Sequence, residues 1–341
     1  LLLAGTLSTG FVSCSSSDDV TPSPLVTEEQ QTELNQAENA SSANARKTEM
    51  GKVIANYLET VVRPTYADLA GKADILYQAC QNLYQKRKAG KLTQGDIDVA
   101  CDAFKNARRD WEQSEAFLYG AATDNEIDPH IDSWPLDHSQ LSQALNDAAV
   151  IAGINGENPT KYVYDNNGKF DSVLGFHGLE FVLFRNGQNR TIAAFNAEKE
   201  TETGLTSVKT IDEAAFAAAV SGDLRNMTYL LEYGWLGIST PLSHQKQLAD
   251  AMWVINGTRH QGLSPKKLPY RDYLRYTTTE QGWFPTWHEA LQNVFVGGCS
   301  NICEEVATQK LGQAYRVATG TGTSEDAANY IESPYSKRSF Q

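Results

Sequence analysis

Basic residues, long apolar runs and strand patterns are all scarce in this 341-residue chain, and each shortage removes a class of function. Lys and Arg number 29 against 42 Asp and Glu, a formal net charge of −13. Phosphate contacts need basic clusters, so the balance argues against a nucleic-acid partner. An acidic surface suits solubility and attracts cations. Beyond the first residues, no segment approaches the roughly 18 uninterrupted apolar residues that a membrane span requires. Alternating strand patterns are few; Lys161-Tyr162-Val163-Tyr164 is at most a short hairpin arm. No Gly-x-Ser-x-Gly elbow, phosphate loop or HExxH helix is present. The nearest approach to the last is Trp287-His288-Glu289-Ala290-Leu291-Gln292, with glutamine in the second histidine position.

What is there begins with a short apolar segment. The chain opens Leu1-Leu2-Leu3-Ala4-Gly5 with no methionine, so its beginning is expected to be missing. Residues 1–13 read as the end of a signal peptide running through Phe11-Val12-Ser13 to Cys14. That pattern resembles a bacterial lipobox, whose cysteine is lipidated and becomes the mature N-terminus. Residues 14–47 are rich in Ser, Asp, Thr, Glu, Gln and Asn. They cannot bury enough apolar surface to fold and read as a tether. Ser15-Ser16-Ser17-Asp18-Asp19 resembles the acidic signals that send some lipoproteins to the outer face of the outer membrane. The expected location is the cell envelope, as an outer-membrane lipoprotein, periplasmic or surface-exposed, held by lipid alone.

Apolar spacing after the tether is helical nearly throughout. Val53, Tyr57 and Val61 start it, and Pro64 is expected to kink or end that element. Residues 73–87 and 96–118 carry two further stripes, separated by a polar turn with Gly90 and Gly95. With Cys14 assigned to lipid, Cys80, Cys101, Cys299 and Cys303 remain, an even number. Cys80 and Cys101 lie equally far from the middle of the turn, so an antiparallel hairpin would set them at one height. A Cys80–Cys101 disulfide is predicted, contributing about 3 kcal/mol if unstrained; two buried thiols are the alternative. Residues 141–154 read as helix, 155–171 as loop, and 179–184 as a central apolar helix. A Thr/Glu-rich connector, residues 197–210, precedes further helical stripes. The expected fold is all-α: two helical bundles in series, 48–196 and 197–341.

The segment Gly175-Phe176-His177-Gly178-Leu179-Glu180 carries the chemistry. In a helix, His177 and Glu180 share a face and can converge on one ion. Imidazole nitrogen with carboxylate oxygen suits zinc, iron or copper. Upstream, Trp111-Glu112-Gln113-Ser114-Glu115 sets two carboxylates near an apolar stripe, with Arg108 and Arg109 as ordinary ion-pair partners. Asp132, in Ile131-Asp132-Ser133-Trp134-Pro135, could cap the next turn. Together His177, Glu180, Glu115, Glu112 and Asp132 form an oxygen-rich candidate set with one nitrogen, favouring iron or zinc over a thiophilic ion. Arg109 or Ser133 could orient the carboxylates from behind.

These elements, with Glu332-Ser333-Pro334-Tyr335-Ser336 near the end, resemble the imelysin family from about residue 45 onward. The resemblance implies two helical bundles with a site near their junction, and an envelope protein described either as an insulin-cleaving metallopeptidase or as an iron-uptake lipoprotein. It places the family's ligands on His177 and Glu180, and on Glu115, Glu112 and Asp132. Family members continue into a last helix, so the second bundle is expected to be truncated at Gln341. The expected function is binding of one metal ion in iron acquisition, with an envelope metal transporter among the expected partners. The alternatives are a zinc-dependent metallopeptidase and a lipid-anchored interaction module without metal. A zinc peptidase needs an open coordination position and a general base, and the missing HExxH weighs against it.

Overall fold

The computed structural model describes residues 29, 30, 32, 43–251, 254, 255, 258, 259, 262–324, 326 and 332–338. Cys14, the signal segment and most of the tether lie outside the described residues. Residues 50–341 form one compact unit and residues 1–49 another. Among the described residues the fold is helical, with two small antiparallel ribbons, Phe184–Arg185 with Gln188–Asn189 and Val254–Ile255 with Thr258–Arg259. No described helix is long and apolar enough to cross a membrane.

Helix α1, Ala43–Tyr57, widens into a π-helical turn at Leu58–Val62 and continues as α2, Arg63–Lys88. Pro64 therefore neither ends nor breaks the element. It falls in the first turn of α2, where a missing N–H is tolerated. The polar turn follows, and α3, Gln94–Ser114, starts on a capping box in which Thr93 and Asp96 satisfy each other's backbone N–H groups. The expected hairpin of α2 and α3 forms. The expected disulfide does not: Cys80 and Cys101 are free, buried thiols. Each turns to a third element, Cys101 Sγ donating to the Leu183 carbonyl at 3.4 Å and Cys80 lying beside Ser221. Burial pushes the Cys80 thiol up to about 12 and the Cys101 thiol upward as well.

The chain then forms short helices, among them α4, Ile127–Ile131, and α5, Pro159–Asp165. The latter occupies part of the stretch read as loop, and Lys161 to Tyr164 are helical rather than a hairpin arm. Asn158 caps it and Pro159 opens it, signals that outweigh the polar composition. Helix α6, Gly175–Leu183, is buried at every position. Helix α7, Thr210–Leu236, is the central rod: 23 of its 27 residues are buried, as expected of a helix enclosed on all sides. It packs most extensively along α2 and also against α5 and α6.

That packing removes the boundary expected at residue 197, because α7 belongs to the same core as α2 and α3. The Thr/Glu-rich connector is not a linker. Glu202 pairs with Arg190 at 2.8 Å and Glu200 with Arg185 at 3.5 Å, while Glu213 of α7 meets Arg190 at 2.9 Å. Lys199 and Lys209 bridge across the same connector. Residues 287–319 form a run of helix interrupted by π turns, including α8, Gly298–Glu305, and α9, Gly312–Thr319.

Candidate metal centre

Two glycines explain how GxHxxE reaches its partners. Gly175 has φ +60, and a Cβ there would lie 1.8 Å from the Ile131 carbonyl oxygen. A Cβ on Gly178 would lie 2.0 Å from the Val173 oxygen. Only glycine lets the start of α6 close on the end of α4. The next residue after α4 is Asp132, which this approach brings against His177.

Five segments meet at that point. His177 Nε2 is 3.0 Å from Asp132 Oδ1, and His177 Nδ1 is 4.0 Å from Glu180 Oε2. From α3, Arg108 donates to Asp132 and, at 2.8 Å, to Glu332 Oε1; its Nε lies 2.5 Å from Glu112. Trp111 Nε1 donates to Asp132 Oδ2 at 2.7 Å. From the last described segment, Ser336 donates its backbone N–H and its hydroxyl to Glu180 Oε1 at 2.7 and 2.6 Å. Lys310 Nζ donates to Glu332 Oε1 at 3.0 Å. Asp132, His177 and Glu332 are all buried, and each offers a ligand atom within 4.8 Å of the others. Ligands about 2.1 Å from one ion lie at most about 4.2 Å apart, so a small side-chain adjustment would suffice.

The polar accounting is incomplete in one place. His177 Nε2, though 3.0 Å from Asp132 Oδ1, makes no hydrogen bond among the described residues, and Glu180 Oε2 makes none either. Leaving buried polar atoms unpaired costs about 1–3 kcal/mol each. Burial raises the Glu180 carboxyl above its usual range, against the pull of its Ser336 hydrogen bonds. Burial also pushes Asp132 upward, but the Arg108 guanidinium and His177 outweigh it and hold that carboxyl well below the usual range. The donor set of one imidazole and several carboxylates, with two atoms unsatisfied, fits a borderline or hard cation.

The other expected residues divide. Glu112 is tied to Arg108 on a side chain 37% exposed. Glu115 stands apart, 3.9 Å from Lys310, and faces a cavity beside the centre. Burial pushes its carboxyl up to about 9, with Lys310 pulling the other way. Arg109 is not a supporting residue: it points outward, 59% exposed, 3.7 Å from Asp110. Arg108, one residue earlier, takes that place because its helical phase faces Asp132. Ser133 is half-buried and makes none of the site's hydrogen bonds; Ser336 makes them instead. Three other histidines are engaged elsewhere, His130 with Asp223 at 2.6 Å, His244 with Glu232 at 2.7 Å, and His138 with Tyr335. Glu332 and Ser336 had no sequence signal of burial, since they sit in a polar segment without apolar periodicity, and Lys310, within a helical stripe, was a charged residue with nothing to mark it as buried.

Comparison with known proteins places the fold and the family. A crystal structure of an iron-regulated protein A precursor from Parabacteroides distasonis superposes with a TM-score of 0.61 at 23% identity, covering 86% of this chain and 70% of that one, and so shares its fold. Iron-regulated protein A of Synechococcus elongatus is 32% identical over 133 residues, 39% of this chain. The match spans only 31% of that relative's length. The Imelysin (Peptidase M75) family model matches residues 62–341, which include every residue of the centre, and the chain belongs to the imelysin family.

Proposed function

We propose that this protein captures a metal ion at the cell envelope, iron above all, through Asp132, His177 and Glu332 with Glu180 beside them. The observation that carries the reading is the pair of unsatisfied buried atoms, His177 Nε2 and Glu180 Oε2. A cation would satisfy both. Arg108 and Trp111 would keep Asp132 ionised and oriented, and Ser336 would hold one oxygen of Glu180 while leaving the other for the ion. The name of the cyanobacterial relative supports iron among the ions this donor set accepts. Attachment through lipid on Cys14, and hand-over to an envelope metal transporter, complete the proposal.

The test is metal content and affinity. Protein stripped by chelator and titrated with iron, zinc and copper ions should take up one ion per chain. The His177→Ala/Glu180→Ala double variant should lose that ion while keeping its helical circular dichroism. Absence of any stoichiometric ion would leave a lipid-anchored interaction module. Metal-dependent cleavage of unfolded polypeptides, lost in the same variant, would replace capture with peptidase activity.

A further inference from the structure

Beside the centre, on the far side of Lys310, lies a cavity of about 440 Å³ lined in part by Glu115, Asp128 and Glu305 with the rings of Tyr119, Trp283 and Phe284. Its volume falls in the range of small-molecule sites, roughly 300–1,000 Å³, and far exceeds what one ion fills.

The acids in it are not spent on structure. Glu115 is nine-tenths buried, its side chain 10% exposed. Among the described residues its carboxylate makes no hydrogen bond; its nearest cation, Lys310, is 3.9 Å away and already donates to Glu332 at 3.0 Å. Asp128 has no ion pair or side-chain hydrogen bond among the described residues, and Glu305 reaches Lys310 only at 3.7 Å. Glu115 and Glu305 thus share one distant ammonium, and Asp128 is paired with none among the described residues. A buried carboxylate needs a proton or a cation to stay there.

The walls indicate which cation. Trp283 stacks on Tyr273 with ring centroids 5.3 Å apart and on Phe284 at the same separation, and Tyr119 is fixed by a 3.0 Å hydrogen bond between its hydroxyl and that of Tyr57. Rigid aromatic faces attract ammonium and guanidinium groups through the ring quadrupole. They offer nothing to a hydrated inorganic ion.

We propose that this cavity binds a small organic cation, a primary amine or guanidinium compound, with Glu115 and Asp128 as its counter-charges and the Trp283–Phe284 pair as its flat wall. The proposal stands whether or not the neighbouring centre holds a metal.

The test uses tyramine and agmatine as probes and 4-ethylphenol as the uncharged counterpart of tyramine. Binding is followed by calorimetry and by ligand-observed NMR on the whole chain, in chelator. Saturable binding of at least one amine below about 1 mM is expected, with 4-ethylphenol at least tenfold weaker. Glu115→Gln should weaken the amine at least tenfold, and Asp128→Asn, read as a second variant if the first folds poorly, should weaken it measurably. Glu59→Gln, on the surface beside Arg63, should leave it unchanged. Equal binding of the neutral compound, or no effect of either cavity variant, would overturn the proposal.

Discussion

Replacing Asp132 by asparagine keeps its shape and removes its charge, which tests the centre at its most connected point. The carboxylate receives Arg108 and Trp111 and lies 3.0 Å from His177. An asparagine oxygen can still accept from Trp111, but its amide must then face either the guanidinium or the imidazole. Arg108 is 9% exposed and would retain Glu332 and Glu112. Removing one partner of a buried pair costs about 3–5 kcal/mol when nothing replaces it. With two carboxylates left, the loss should fall near 3 kcal/mol at pH 7, read as a lower urea midpoint at unchanged slope in chelator. The sign with pH follows from the depressed carboxyl of Asp132. Its stabilisation is complete above the unfolded value, about 3.9, and fades as pH falls towards the folded one. The penalty of the substitution should therefore shrink at the acid end. Adding iron at about a hundred times its dissociation constant should stabilise the wild type by about 2.7 kcal/mol and the variant far less. A loss below 1 kcal/mol at pH 7, or a penalty independent of pH, would refute the network described here.

Gly175→Ala should destabilise by about 3 kcal/mol or more, since the new methyl must displace the Ile131 carbonyl at a left-handed position; urea unfolding checks it. Glu115→Gln should raise the melting temperature near pH 8 and leave it unchanged near pH 4. The raised carboxyl, about 9 in the fold, stabilises fully below the unfolded value and loses that stabilisation as pH climbs. Cys299 and Cys303 are exposed and should be alkylated in the native protein, whereas Cys80 and Cys101 should react only on unfolding; a disulfide-linked Cys80–Cys101 peptide in the mass map would contradict the fold.

The sequence was legible where local rules decide. The α2–α3 hairpin followed from apolar stripes and a polar turn, and His177 with Glu180 from the spacing of a buried helix. Asp132 was named as a candidate cap and through the family resemblance, whereas its meeting with His177, which Gly175 permits at the Ile131 carbonyl, was visible only in the fold. Composition misled at the connector, where Glu200 and Glu202 look like linker residues and are in fact anchors for two buried arginines. Spacing misled at Cys80 and Cys101, whose equal height in the hairpin says nothing about which way each thiol points. Glu112 and Glu115 share a helical face by number. However, α3 tightens to a 3₁₀ turn at Glu115–Phe117, and the two carboxylates end with different partners. Glu332 and Ser336 arrive from about 150 residues beyond α6 in a segment with no periodicity, which no local rule can place.

The two buried cations seem at first to belong to the wrong kind of site. Arg108 and Lys310 occupy a pocket proposed to take a third positive charge. Yet clustered carboxylates cannot all ionise in a buried space without compensation. Arg108 holds Asp132 as the anion through acid pH, and Lys310 with Arg108 fixes one oxygen of Glu332. What they leave uncommitted is Glu180, whose carboxyl burial raises, and the imidazole of His177. On the proposed reading, a cation would reach the free Glu180 oxygen and the imidazole without drawing a salt bridge apart. The fixed charges compensate one another through the Arg108–Asp132, Arg108–Glu332 and Lys310–Glu332 pairs, so the proposed ion would depend on the two residues three apart on α6.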